Sequence, residues 1–164
     1  MIIYLKNKHT LQVGDFYFSC SVGKNGFIKK KIEGDKKTPI GTFEIEHLYF
    51  RKDKIKKPNT NLKCIEIKKN MGWCDDLKNN KNYNKLIKIK KNISHEKLYR
   101  KDYKYDLLIP IKYNFKKTVI GNGSCIFIHL TNNYLPTLGC IAVKEKDFLI
   151  MLKLIKKNSK IKIY

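Results

Sequence analysis

A histidine and a cysteine stand eleven positions apart, His129 near the end of the apolar run 126–130 (IFIHL) and Cys140 at the head of another, 140–143 (CIAV). Between them, Pro136-Thr137-Leu138-Gly139 reads as a turn. A strand, a reversing loop and a second strand of this length return the chain alongside itself and bring imidazole and sulfur to facing positions. The pairing suits nucleophilic catalysis: only a thiolate attacks well, and a neighbouring histidine supplies the base or the positive charge that generates it. Gly139 has no side chain to keep backbone and substrate carbonyl apart, and the amides around Cys140 are candidate donors to a developing oxyanion. Taken singly, a core cysteine and a hydrogen-bonded strand histidine would account for both residues.

The other reactive side chains suggest less. Five cysteines, at 20, 64, 74, 125 and 140, leave at least one outside any internal disulfide. Cys20, Cys64 and Cys125 read as small core residues. The nine residues separating Cys64 from Cys74 match no usual structural-zinc spacing, even with a histidine added. Asp75 and Asp76 would point to opposite faces of a strand, so the pair reads as a turn cap, with a substrate ammonium as the other partner to consider.

The elements that must position this chemistry are mostly strands. Ile2–Leu5, Phe16–Val22 and Thr42–Phe50 are short β-branched and aromatic segments separated by glycines. From Arg51 to Asn92 the chain is rich in lysine and asparagine, a loop-rich excursion relieved by a plausible strand at Cys64–Ile67 and by MGWCDD at 71–76. Asp106–Tyr113 and Ser124–Leu130 read as buried strands. Glu145–Lys157 puts Phe148, Met151, Leu152 and Ile155 on one helical face, and Lys160–Tyr164 is a final strand expected to close the sheet. With 164 residues, no linker and no repeat, residues 1–164 read as one mainly β domain carrying a single late helix.

The composition excludes several classes. A 12% aromatic content and recurrent apolar positions argue against disorder. No apolar run approaches the roughly 18 residues of a membrane span. Lys6 and Lys8 interrupt MIIYLKNKHT before it can build the apolar segment of an export signal. The net charge is +22, but 34 of the 36 basic residues are lysines scattered along the chain, and Arg51 and Arg100 are the only arginines. An A/T-rich coding bias explains that excess more simply than a selected nucleic-acid surface, and no specific nucleic-acid partner is expected.

With these residues in view, the chain resembles the L,D-transpeptidase catalytic domain family, the YkuD type, in which a strand histidine precedes a loop ending in [S/T]-x-G-C. The matching residues are His129 and Thr137-Leu138-Gly139-Cys140. GDKKTPIGTF (34–43) is similar to the family's early T-P-x-G-x-F strand. MGWCDD (71–76), YN (83–84), SHEKLYRKDYKYD (94–106) and GSCIFIHL (123–130) resemble a short branch found mainly in proteobacteria. Five ordered blocks over nearly the whole chain are far more specific than a lone Gly-Cys pair.

The resemblance implies a β-rich YkuD-like fold and a cysteine acyltransferase working on peptidoglycan stem peptides, as donor and as amine acceptor, with no cofactor and no metal. It implies Cys140 as nucleophile, His129 as base, Gly139 as the residue that leaves room, and the Leu130 carbonyl as the group orienting the imidazole. Carbapenem-type inhibitors would acylate the sulfur. A carboxypeptidase or peptidase reaction on the same fold is the hydrolytic alternative, and a non-catalytic basic binder of anionic polymers is a third reading, motivated by the charge. The site of action would be the periplasm or cell wall, with the domain a monomer. Many family members carry a second histidine before the Gly-Cys pair and an arginine two positions beyond the cysteine; here those positions hold Leu138 and Ala142. A replacement carboxylate anchor is expected from the 94–106 block: Arg100 first, joined by His95, Glu96 and Tyr105, with Trp73 and Tyr83 as apolar walls. Arg100 could instead pair with Asp102 or Asp106, and Trp73 could simply fill the core.

Overall fold

The computed structural model describes residues 1–164. Strands β1 (Ile2–Leu5), β2 (Thr10–Val13) and β3 (Phe16–Ser21) form an antiparallel meander. Alternation sends Ile3, Leu5, Leu11, Val13, Phe18 and Cys20 into the core. β2 was not anticipated, because four residues between Lys8 and Gly14 with a central glutamine give too short a pattern to read.

The remaining elements are β4 (Phe27–Ile28), β5 (Thr38–Pro39), β6 (Gly41–Glu44), β7 (Leu48–Phe50), β8 (Cys64–Glu66), β9 (Met71–Cys74), β10 (Leu86–Lys88), β11 (His95–Lys97), β12 (Leu107–Pro110), β13 (Phe127–Leu130), β14 (Ile141–Val143), helix α1 (Glu145–Leu154) and β15 (Lys160–Ile163). Ten strands make one sheet in the order β6-β15-β1-β2-β3-β14-β13-β12-β7-β8. The segment 41–50 belongs to both flanks: β6 pairs with β15, an Ile45–Ile111 bridge follows, and β7 pairs with β12. The sheet thus curls back on itself. β15 is the expected final strand that closes the sheet. It inserts between β1 and β6, parallel to β1, because Ile161 and Ile163 alternate into the core there.

Two apolar layers result, one on each face of β13 and β14. Ile126, Ile128, Leu130, Ile141 and Val143 join the large core, together with Phe148, Met151, Leu152 and Ile155 from α1 and its C-terminal cap. Phe127 and Cys140 face the other way, into a smaller cluster with Tyr49, Trp73, Leu98, Tyr105 and Leu108. That cluster lies under a separate three-stranded sheet, β10-β9-β11, which gives order to part of the lysine-rich excursion. Strands covered on both faces carry near-continuous apolar runs, which is why β13 and β14 are buried at every position.

Candidate active site

β13 and β14 run parallel with Ile128 opposite Ile141 and His129 opposite Ala142. One step back along the ladder, Cys140 lies beside Phe127. Side chains alternate between faces, so Phe127, His129, Cys140 and Ala142 share the face turned to the small cluster, with sulfur and imidazole one diagonal step apart.

The turn before Cys140 is built by side-chain hydrogen bonds. The Thr137 hydroxyl donates to the Cys140 carbonyl at 2.6 Å and accepts from the Gly139 N–H at 3.1 Å. Thr38, in the early T-P-x-G-x-F block, donates its hydroxyl to the Gly139 carbonyl at 2.9 Å. Gly139 has φ +136°, and a Cβ there would lie 2.9 Å from the Lys37 carbonyl oxygen, so glycine is required both by conformation and by space. A parallel ladder continued one step would direct the Phe127 N–H at the Gly139 carbonyl. With that carbonyl taken by Thr38, the Phe127 N–H instead donates to the Cys140 sulfur at 3.4 Å. Of the two amides expected to receive an oxyanion, that of Gly139 is occupied by Thr137, whereas the Cys140 N–H has no acceptor in the protein.

The reactive groups rest uncharged. Burial pushes the Cys140 thiol up to about 12, against the opposing pull of the Phe127 N–H, while Glu96 raises it and Lys31 lowers it. The thiol donates to the Cys125 carbonyl at 3.1 Å; neither of its hydrogen bonds involves His129. His129 Nδ1 lies 2.9 Å from the Leu130 carbonyl oxygen. A carbonyl can only accept, so Nδ1 carries the proton and Nε2 presents its lone pair. Burial holds the His129 pKa down at about 4. The Tyr105 ring meets this imidazole edge-on at 5.4 Å and packs against Phe127 at 5.8 Å.

A neutral buried histidine couples folding to pH. Below its ordinary value of 6.5 the unfolded chain takes up a proton that the folded protein refuses until about 4. Stability present above pH 6.5 is therefore lost as the pH falls towards 4, by about 3 kcal/mol at most. Urea midpoints measured from pH 7 to 4.5 should fall more steeply in the wild type than in His129→Gln; parallel slopes would refute this assignment.

The residues expected to bind substrate are distributed unequally. Glu96 and His95 are strand neighbours on β11 and point to opposite faces: Glu96 pairs with Trp73 and turns towards Cys140, whereas the His95 ring covers Gly72. Arg100 lies over the Tyr105 ring, 5.0 Å from its centroid, and its guanidinium is committed to Asp102 (2.9 and 2.7 Å) and Glu96 (3.1 Å). Trp73 and Tyr83 are both buried: Trp73 packs in the cluster that holds Cys140, whereas the Tyr83 hydroxyl donates to Glu33, so neither presents an open wall to a peptide. The Trp73 indole donates to Asn84 Oδ1 at 3.0 Å, and the same oxygen receives the Cys125 N–H at 3.2 Å. The YN block thereby holds the residue whose carbonyl holds the thiol. Asp75 and Asp76 receive the hydroxyl and N–H of Ser94 and cap their turn.

Two residues escaped the sequence reading. Arg51 is buried, stacks on Tyr99 at 3.6 Å, pairs with Asp53 at 2.7 Å and donates to the Arg100 carbonyl, so one arginine fixes the segment bearing the other. Its signal was available in the rarity of arginine. Lys31 is buried beside Gly139 and gave no signal among 34 lysines.

The profile of the L,D-transpeptidase catalytic domain (YkuD) matches residues 1–163. The chain belongs to the L,D-transpeptidase catalytic domain family. No curated protein matches it. Among solved structures it is similar to the helical cell shape determining protein Pgp2 from Campylobacter jejuni, with a TM-score of 0.52 and 17% identity over 99% of this chain and 46% of that one. A lysine-to-alanine mutant of the same protein gives 0.50 and 16%, over 99% and 45%. At that identity the likeness establishes the fold alone, and this chain spans less than half the length of those proteins. Within this L,D-transpeptidase-family domain, the place where the family pattern has an arginine is Ala142, 1% exposed between His129 and Ser21 on the two flanking strands. Leu138, where relatives carry a second histidine, is exposed.

Proposed function

We propose that the domain is a cysteine L,D-transpeptidase that forms cross-links between peptidoglycan stem peptides in the bacterial cell wall and so contributes to cell shape. Membership of the family supports the substrate class. The observation that carries the chemistry is the shared face of Cys140 and His129, with the histidine tautomer set by the Leu130 carbonyl. In this reading the sulfhydryl turns from the Cys125 carbonyl and gives its proton to His129 Nε2 as the sulfur attacks the donor carbonyl. The Cys140 N–H stabilises the oxyanion. The carbon–nitrogen bond breaks, His129 returns the proton to the departing amine, and a thioester remains. An acceptor amine then attacks the thioester, giving its proton to His129, which returns it to the sulfur as the new amide forms. Because thiol and imidazole both rest neutral, proton transfer accompanies attack rather than preceding it.

Purified protein incubated with muropeptides and analysed by mass is expected to yield dimers. Trimmed stems without dimers would replace transfer by hydrolysis, and an unchanged mixture would remove the enzymatic reading. No helix is long and apolar enough to cross a membrane. The site of action that this substrate requires is the periplasm or wall.

A further inference from the structure

We propose that Lys31 is a positioning residue for the nucleophile, a buried ammonium that stabilises the negative charge arising on the Cys140 sulfur. The inference rests on Cys140 being the nucleophile, as proposed above.

The side chain of Lys31 is 2% exposed, and its ammonium pairs with Asp35. It threads between two glycines. A Cβ on Gly123 would meet its Cδ at 2.7 Å, and a Cβ on Gly139 would lie 3.5 Å from Nζ. Space for the lysine is thus maintained by the absence of a side chain at Gly123, and its ammonium ends in contact range of Gly139, the residue next to Cys140. Asp35 also accepts the N–H groups of Ile32 and Lys37 at 3.0 and 2.9 Å, which fixes the loop carrying the cation. The same loop delivers the Lys37 carbonyl and the Thr38 hydroxyl to Gly139.

A cation is needed here. The sulfur is buried and His129 rests neutral, so before His129 takes up the thiol proton no imidazolium stands beside the sulfur to draw out its charge. The other titratable groups turned towards the sulfur are Glu96 from β11, Tyr105, His129 and the Cys125 thiol. None of these is a resting cation, and Glu96 disfavours the thiolate. Lys31 is the charge that favours it. In low-dielectric surroundings such a charge acts without touching substrate.

The test is the rate of Cys140 alkylation by iodoacetamide from pH 7 to 9, read by peptide mapping so that Cys20, Cys64, Cys74 and Cys125 are scored apart. Lys31→Met should slow Cys140 by about three- to tenfold at each pH, allowing for the lower nucleophilicity of a more acidic thiol. Lys31→Arg should stay within about threefold of wild type. Asp35→Asn removes the counter-charge while keeping one of the two oxygens that accept the Ile32 and Lys37 N–H groups, and the freed Lys31 charge should accelerate alkylation. A loosened loop would shift Lys31→Met and Asp35→Asn in the same direction; that result, or a wild-type rate in Lys31→Met, overturns the proposal. If circular dichroism shows Lys31→Met unfolded, Asp35→Asn decides alone, and an unchanged or slower rate counts against the role. The readout needs no peptidoglycan substrate. Inactive wild type would therefore sink the transpeptidase reading, whereas active wild type with unaltered variant reactivity would sink this one.

Discussion

Cys140→Ala is expected to abolish both muropeptide turnover and covalent capture of a carbapenem, while melting within a few degrees of wild type. The substitution removes the only atom able to form the thioester, so no residual route through the acyl-enzyme remains. Its structural cost is small, because the sulfur makes two weak hydrogen bonds, to the Cys125 carbonyl and from the Phe127 N–H. Their loss amounts to about 1 kcal/mol, or roughly 2–4 °C for a chain of this size. His129→Ala should retain slow acylation, down about 10²- to 10⁴-fold, since it removes the base and leaves the oxyanion donor in place. Intact-mass spectra of wild type and both variants after carbapenem treatment separate these outcomes. An adduct on Cys140→Ala would place the reactive group elsewhere.

Trp73→Ala is expected to cost about 3–5 kcal/mol, lowering the melting temperature by roughly 6–20 °C. Trp73 is 2% exposed and meets Phe127 edge-on at 5.4 Å, Phe115 at 5.9 Å and Tyr49 at 6.4 Å. Truncation opens a cavity beside the strand residue whose N–H contacts the sulfur. It also leaves Asn84 without the indole while that amide still receives Cys125. Trp73→Phe should recover part of the packing and none of the hydrogen bond. A thermal shift below about 2 °C for Trp73→Ala would show that the small cluster does not support the sheet.

The His129–Cys140 strand-turn-strand was legible because its signals are local: an apolar run ending in histidine, a Pro-to-Gly turn and a second apolar run. The helix was legible for the same reason, and Phe148, Met151 and Leu152 are buried as the periodicity implies. What escaped depends on partners distant in sequence. The pairing of β15 with β1 joins opposite ends of the chain, and nothing in Lys160–Tyr164 specifies which neighbours it takes. His95 and Glu96 were adjacent and equally plausible; strand alternation turned one towards the sulfur and the other onto Gly72. Trp73 and Tyr83 have the chemistry of a binding wall, but burial depends on what packs over them. Lys31 differs from the other lysines only in being enclosed by Gly123 and Gly139.

The insertion of β15 between β1 and β6 also constrains synthesis. β1 is the first strand of the domain in chain order, yet one of its two partners, β15, is the last. While residues 160–163 remain in the exit tunnel, β1 and β6 each lack a hydrogen-bonding neighbour and the curl stays open. A growing chain can assemble the β1–β3 meander and the parallel β13–β14 pair piecemeal, but the curl closes only once residues 160–163 are free to insert between β1 and β6.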